Sequence, residues 1–312
     1  MREHFVIGSR GSKLALWQSE WVKSRLAELR PEVEIRIEVI KTSGDVMLDV
    51  PLAVIGGKGV FTKELEEALL AEEIDLAVHS LKDLPTTLPD NLAISAITER
   101  EDARDALILR EGVAAANNSL RDLPHGAVVG TSSLRRQAQL KHLRTDVSIK
   151  DLRGNVDTRL RKLDEGGYDA IILASAGLRR LGFERRINAS ITHAEMLPAV
   201  GQGALGIETR ADDKRTAALV SLLEHAPTRA ACTAERALLF ALGGGCQVPI
   251  AAHAVVSGDT LQLDALVAAL DGGRVIRESL EDETGHAARA GEALAARLRT
   301  RGADELLEGL TV

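Results

Sequence analysis

The chain has 312 residues, 45% of them hydrophobic and 2% aromatic, and carries a formal net charge of −7. That length can bury more than one core, so two or three domains built from Leu, Ile, Val and Ala are expected. The acidic balance and scarcity of rings exclude a general polyanion surface and a stacking platform for nucleic acid, and no stretch reaches the roughly 18 apolar residues of a membrane span.

Phe5–Gly8 reads as a strand, followed by a turn through Arg10 and Ser12 into a helix over Lys13–Leu29 that Pro31 ends. Val33–Lys41 is a strand by its Val and Ile content. Between Gly44 and Gly59 lies a glycine-rich loop with Gly56, Gly57 and Gly59 around Lys58. Gly59 stands where a P-loop needs Ser or Thr, so nucleotide binding is rejected and a lid over a cleft is expected at 44–60. Glu64–Ala71 is helical, and Ile74–His79 and Leu92–Ile97 are strands.

A second α/β unit begins after the charged stretch Glu99–Arg104. Its expected strands are Ala106–Leu109, Ala127–Gly130, Asp146–Ile149 and Ala170–Ala174, and its helices Leu134–Leu143, Val156–Leu163 and Ala176–Leu181. Leu197–Gly203 punctuates the chain. From Pro227 the pattern changes: a helix over Arg229–Leu242, a loop carrying Cys246, then strands Val248–Val256, Thr260–Ala269 and Arg274–Leu280 as an antiparallel meander. A helix over His286–Arg299 covers it. The expected fold class is therefore α/β, with a small α+β domain at the end.

Two features carry chemistry. Cys246 follows Gly243, Gly244 and Gly245 and precedes Val248-Pro249-Ile250; with Cys232 it makes up the chain's two cysteines, neither in a CxxC pair. A zinc site or disulfide framework is thus a poor explanation, no metal is expected, and a reducing compartment fits. A sulfur on a glycine loop suits a nucleophile or a covalent attachment point, against the alternative of a small buried hydrophobe, the reading adopted for Cys232. Secondly, polar clusters follow the predicted strands: Arg10 and Ser12; Ser80, Lys82 and Asp83; Thr131, Ser133, Arg135 and Arg136; Arg153 and Arg159; and Arg180. Open α/β sheets place ligands there, and an acidic chain that gathers arginines at those ends suits a ligand with several carboxylates or phosphates. Asp83 differs in sign, either a turn cap before Pro85 or a group that stabilises a developing cation. His79 is expected to pack on its strand. Met1–Gly8 has no apolar signal core, so a cytoplasmic location is expected.

Blocks in order through most of the chain resemble the hydroxymethylbilane synthase, or porphobilinogen deaminase, family. They are Ile7–Ser12 with Leu14–Gln18, Gly56–Leu65, Val78–Leu84, Val129–Arg136, Leu152–Leu160, Leu197–Ile207 and Gly244–Ile250; beyond these the likeness is general. The resemblance implies three domains: 1–98 with 202–222, 99–201, and 223–312. The first two are lobes like those of periplasmic binding proteins, and the third is α+β with a three-stranded antiparallel sheet and the cofactor cysteine. It implies a transferase of tetrapyrrole and haem biosynthesis that joins four porphobilinogen molecules with release of ammonia and frees hydroxymethylbilane by hydrolysis. A dipyrromethane cofactor, thioether-linked to Cys246, would prime the growing chain. Asp83 matches the carboxylate set against the pyrrole N–H groups. Arg10, Arg135, Arg136, Arg153, Arg159 and Arg180 match the arginines that hold acetate and propionate groups, with Ser12, Ser80, Lys82, Thr131 and Ser133 as supporting donors. Gly243 departs from the family, where an acidic residue is expected. A monomer is expected, without nucleic acid or membrane partners. The competing reading is a non-enzymatic binding protein for a carboxylated small molecule, which leaves Cys246 without a purpose.

Overall fold

The strand Glu3–Ser9 (β1) pairs in parallel with Val33–Val39 (β2), from Glu3 opposite Val33 to Ser9 opposite Val39. Here and below, the computed structural model describes residues 3–42, 62–115, 117, 119–244 and 248–308; the expected lid at 44–60 and Cys246 lie outside them. Between β1 and β2 runs Lys13–Leu29 (α1), whose N-cap Ser12 accepts the Ala15 N–H on its hydroxyl at 3.3 Å. The helix stops at Arg30, which precedes Pro31 and is forced off helical backbone. Ala15, Gln18, Ser19, Val22 and Leu26, three and four apart, form its buried stripe. Lys63–Leu70 (α2) leads to Leu76–Ser80 (β3), which flanks β1 in parallel, and Leu92–Ile97 (β4) follows. β3 is buried from Leu76 to His79, as expected of an interior strand covered on both faces.

The chain then builds a second sheet. Its elements are Asp105–Leu109 (β5), Val128–Gly130 (β6), Leu134–Leu143 (α3), Ser148–Lys150 (β7), Val156–Asp164 (α4), Ala170–Ala174 (β8), Ser175–Arg180 (α5) and Ala189–Ser190 (β9). The strand order is β7-β6-β8-β5-β9, with β6 parallel to β7 and β8, and β5 antiparallel to β8 and β9. Leu205–Arg210 (β10) returns to the first sheet and runs antiparallel to β3 and β4, giving the order β2-β1-β3-β10-β4. Both sheets therefore follow one plan. Three parallel strands are followed by an antiparallel fourth, the strand on which the chain enters that sheet after crossing. These are the two α/β lobes expected from the periplasmic-binding-protein resemblance.

After Lys214–Val220 (α6) comes Ala226–Ala241 (α7), with Pro227 in its first turn, where a missing N–H costs nothing. Ile250–Ser257 (β11), Thr260–Ala268 (β12) and Val275–Glu283 (β13) form the expected antiparallel meander, and Ala287–Thr300 (α8) and Ala303–Glu308 (α9) follow. Leu238, Leu261, Leu263, Leu294 and Leu298 join in one core between this sheet and its helices. Gly291 lets α8 come close to α7: a Cβ there would stand 2.2 Å from the Ala234 carbonyl oxygen. Cys232 is fully buried on α7, in the packing role expected of it.

The chain packs as two compact units, Met1–Glu101 with Ala204–Arg229, and Asp102–Gly203 with Ala230–Val312. Within the second, Ala138 and Leu197 share a core with Ala251, Leu266 and Ala268, which packs the meander against α3 and the Leu197 segment. The sequence reading omitted β9, β10, α6 and α9. β10 was hidden because its interior carries Glu208 and Thr209, both fully buried.

Candidate active site

In the first unit, parallel pairing sets the carboxyl ends of β1 and β3 side by side, with Ile7 opposite Leu76 and Gly8 opposite Ala77. The turn after β1 carries Arg10 and Ser12, and a 3-10 turn over Leu81–Asp83 follows β3. Arg10, Ser12, Gln18, His79, Ser80 and Asp83 consequently line one small cavity. The Ser80 hydroxyl accepts from the Gln18 side-chain amide at 2.8 Å, which ties α1 to the end of β3. Lys82 lies half-buried in the same turn as Asp83. Gln18 and His79 are pocket residues to which the sequence reading gave no site role.

The second unit repeats the arrangement at the ends of β6, β7 and β8. Thr131 is buried, and its hydroxyl accepts the Ser133 N–H at 3.2 Å, shaping the turn in which extended Ser133 opens α3. After β7, Gly154 takes a φ of 107°, a left-handed turn that glycine tolerates, and α4 starts two residues later. Arg159 Nε donates to the Gly154 carbonyl at 2.7 Å, and Lys162 Nζ to that of Arg153 at 3.2 Å. Arg180 Nη2 donates to the Gly203 carbonyl at 2.6 Å. The structure thus gathers Arg10, Ser12, Ser80, Lys82 and Asp83 on one unit and Thr131, Ser133, Arg135, Arg136, Arg153, Arg159 and Arg180 on the other.

Arg135 and Arg136 hold a partner the sequence reading missed. Both are buried, and Asp105, which opens β5 at 0% exposure, faces them. Arg135 Nη1 reaches Asp105 Oδ2 at 2.7 Å, and Arg136 Nη2 and Nε reach Oδ1 at 2.7 and 3.1 Å. Gln202 adds a fourth donor at 2.9 Å, while the Leu197 and Ile172 carbonyls accept from Arg135 and Arg136. Burial alone would push the Asp105 carboxyl up. The fields and hydrogen bonds of Arg135 and Arg136 more than offset it and hold the group well below the usual carboxylate range. For Arg135, burial prevails and lowers its pKa despite Asp105. Arg135 Nε and Nη2 donate to none of the described residues. An aspartate at the head of an otherwise apolar strand was the available signal, since a buried charge demands a partner.

No group of three or more His, Cys, Asp or Glu among the described residues could hold a metal ion, and no described helix is long and apolar enough to cross a membrane. Each unit instead carries guanidiniums and hydroxyls after its strands, and the first adds the carboxylate of Asp83. Residues 5–218 match the family model of the porphobilinogen deaminase dipyromethane cofactor binding domain, and residues 229–300 match that of the porphobilinogen deaminase C-terminal domain. The porphobilinogen deaminase of Chlorobium chlorochromatii is 51% identical over 312 residues, covering 98% of each chain. That of Synechococcus elongatus is 52% identical over 302 residues, covering 97% of this chain and 94% of its own. Among solved structures, a substrate binding domain of a putative amino acid ABC transporter from Streptococcus pneumoniae superposes with a TM-score of 0.44 at 15% identity. The match covers 77% of this chain and 94% of that one. The chain belongs to the porphobilinogen deaminase family, a family of transferases with a dipyrromethane cofactor.

Proposed function

We propose that the chain condenses four porphobilinogen molecules head to tail, releases ammonia at each step, and frees hydroxymethylbilane by hydrolysis. The observation that carries this reading is Asp83, the one carboxylate among the described residues that line a cavity with Arg10, Ser12 and Ser80, in a chain matched by the family along nearly its whole length. A cofactor built of carboxylated pyrroles suits the donors present: guanidiniums and hydroxyls for acetate and propionate groups, and one carboxylate for pyrrole N–H groups. Cys246 is assigned to hold it covalently, and when bound it supplies the primer and its nucleophilic pyrrole carbon. Arg10, Ser12, Ser80 and Lys82 hold carboxylates from the first unit, and Thr131, Ser133, Arg153, Arg159 and Arg180 from the second. Arg135 uses its uncommitted N–H groups in the same way, while Arg136 braces the turn through Asp105.

Asp83 accepts pyrrole N–H donors and offsets the positive charge that develops as the substrate's aminomethyl carbon loses ammonia. Because that charge is largest in the transition state, Asp83 acts on rate more than on binding. The division into domains 1–98 with 202–222, 99–201 and 223–312 is part of this reading, supported by three separate sheets and by family-model bounds at 218 and 229. A cytoplasmic, monomeric protein without a nucleic-acid partner completes it. The test is ammonia release from porphobilinogen with formation of hydroxymethylbilane. Purified protein that retains porphobilinogen without releasing ammonia would leave only the binding-protein reading.

A further inference from the structure

Beneath the Asp83 cavity lies a cluster that the proposed chemistry does not use. β3 and β10 are antiparallel, with Gly206 opposite His79 and Glu208 opposite Ala77, so His79 and Glu208 stand diagonally on one sheet face. His79 Nε2 and Glu208 Oε2 are 3.0 Å apart, with side chains 4% and 0% exposed. Glu208 Oε1 is buried with no hydrogen-bond partner among the described residues, and so is Oε1 of Glu66 on α2, which packs against both strands. Burial pushes the Glu66 carboxyl above its ordinary value; Glu208 and Glu67 add to the push, and His79 opposes it. His79 also lines the cavity with Asp83 and Arg10. Two buried carboxylates beside one imidazole cannot all take their solution charges, because two unbalanced anions in so little space repel strongly. Glu66, the member that burial raises, is the one placed to keep a proton.

We propose that Glu66 and the His79–Glu208 pair form a unit of positioning residues in which Glu66 holds a proton and so keeps the floor of the Asp83 cavity free of extra negative charge. With the proton held, Asp83 is the one anion presented to the substrate, and the substrate's own carboxylates enter without repulsion. With the proton lost at higher pH, the floor becomes anionic and binding weakens while the rate of bound substrate changes little. The groups facing the unit are Glu67 from α2 and Arg10 and Asp83 from the cavity.

The inference rests on porphobilinogen as substrate, and the test separates the two. KM and kcat for porphobilinogen are measured for the wild type and Glu66→Gln between about pH 6 and about pH 9, above the ordinary carboxylate range, where a raised carboxyl loses its proton. Glutamine keeps the shape of the protonated acid, so the rise of KM with pH should flatten by about fivefold at the alkaline end, the effect of one unit charge across a partly solvated gap. The kcat profile should stay in place, and Glu66→Asp should restore the wild-type rise. Superimposable KM profiles would overturn the proposal while leaving the activity standing. A wild type that releases no ammonia would sink both. If Glu66→Gln does not fold, infrared spectra of the wild type decide. A protonated-carboxyl band that persists at neutral pH and fades on alkalinisation supports the unit, and its absence at neutral pH refutes it.

Discussion

Asp105 is expected to be the single side chain on which the second unit most depends. Replacing it by Asn keeps its shape but removes the charge that faces Arg135 Nη1 and Arg136 Nε and Nη2 at 2.7–3.1 Å, and sets an amide N–H against guanidinium donors. Both arginines are buried, so neither charge can turn to water. Breaking one side of a buried ion pair costs about 3–5 kcal/mol, because the remaining charge is left uncompensated. For a chain of 312 residues, at about 2.1 cal/mol/K of unfolding entropy per residue, that corresponds to a fall of roughly 5–8 °C in Tm, measured by calorimetry or circular dichroism. The contribution also has a pH signature. The folded carboxyl lies below its unfolded value of about 3.9, so its stabilisation is complete above that value and is lost as pH falls through the folded pKa. Asp105→Asn should lose this part of the acid dependence. A triple variant, Asp105→Leu with Arg135→Met and Arg136→Leu, should recover much of the stability because no buried charge is left unpaired. A fall of under about 2 °C for Asp105→Asn would refute the reasoning, since it would mean the arginines find other compensation.

Asp83→Asn should lower kcat on the order of a hundredfold or more with little change in KM, as steady-state ammonia release would show. Arg180→Gln should raise KM roughly tenfold to a hundredfold, the worth of one charge-assisted contact, with a smaller effect on kcat. Gly291→Ala should destabilise by about 1–3 kcal/mol in denaturant titration, because its Cβ would collide with the Ala234 carbonyl oxygen.

Much of this fold was legible because apolar runs and turn residues coincide along the chain. β1 and β2 are rich in Val and Ile, α1 is bracketed by Ser12 and Pro31, and the three strands of the meander are separated by Gly-Asp and Gly-Gly turns. Illegible segments had a common cause. β10 buries Glu208 and Thr209, which look exposed in sequence but meet side chains more than a hundred positions away, Glu208 with His79 and Thr209 with Ser95. β9 is two residues long, too short for any period to register. For the candidate site, attention to strand ends picked out polar clusters that the structure does set after its strands, because that reading depends only on where strands stop. It could not show that Asp105 already holds Arg135 and Arg136, thirty and thirty-one residues on, or that Gln18 bonds Ser80. Charge pairing across a sheet depends on strand order, and strand order is a property of the folded chain.

The central claim is that a pyrrolic primer is tethered to this chain, and the mass of the intact, denatured protein tests it most directly. Active wild type should exceed its sequence mass by two porphobilinogen-derived rings, and Cys246→Ser should show its sequence mass and release no ammonia. Wild type that turns over porphobilinogen at its bare sequence mass would contradict the account.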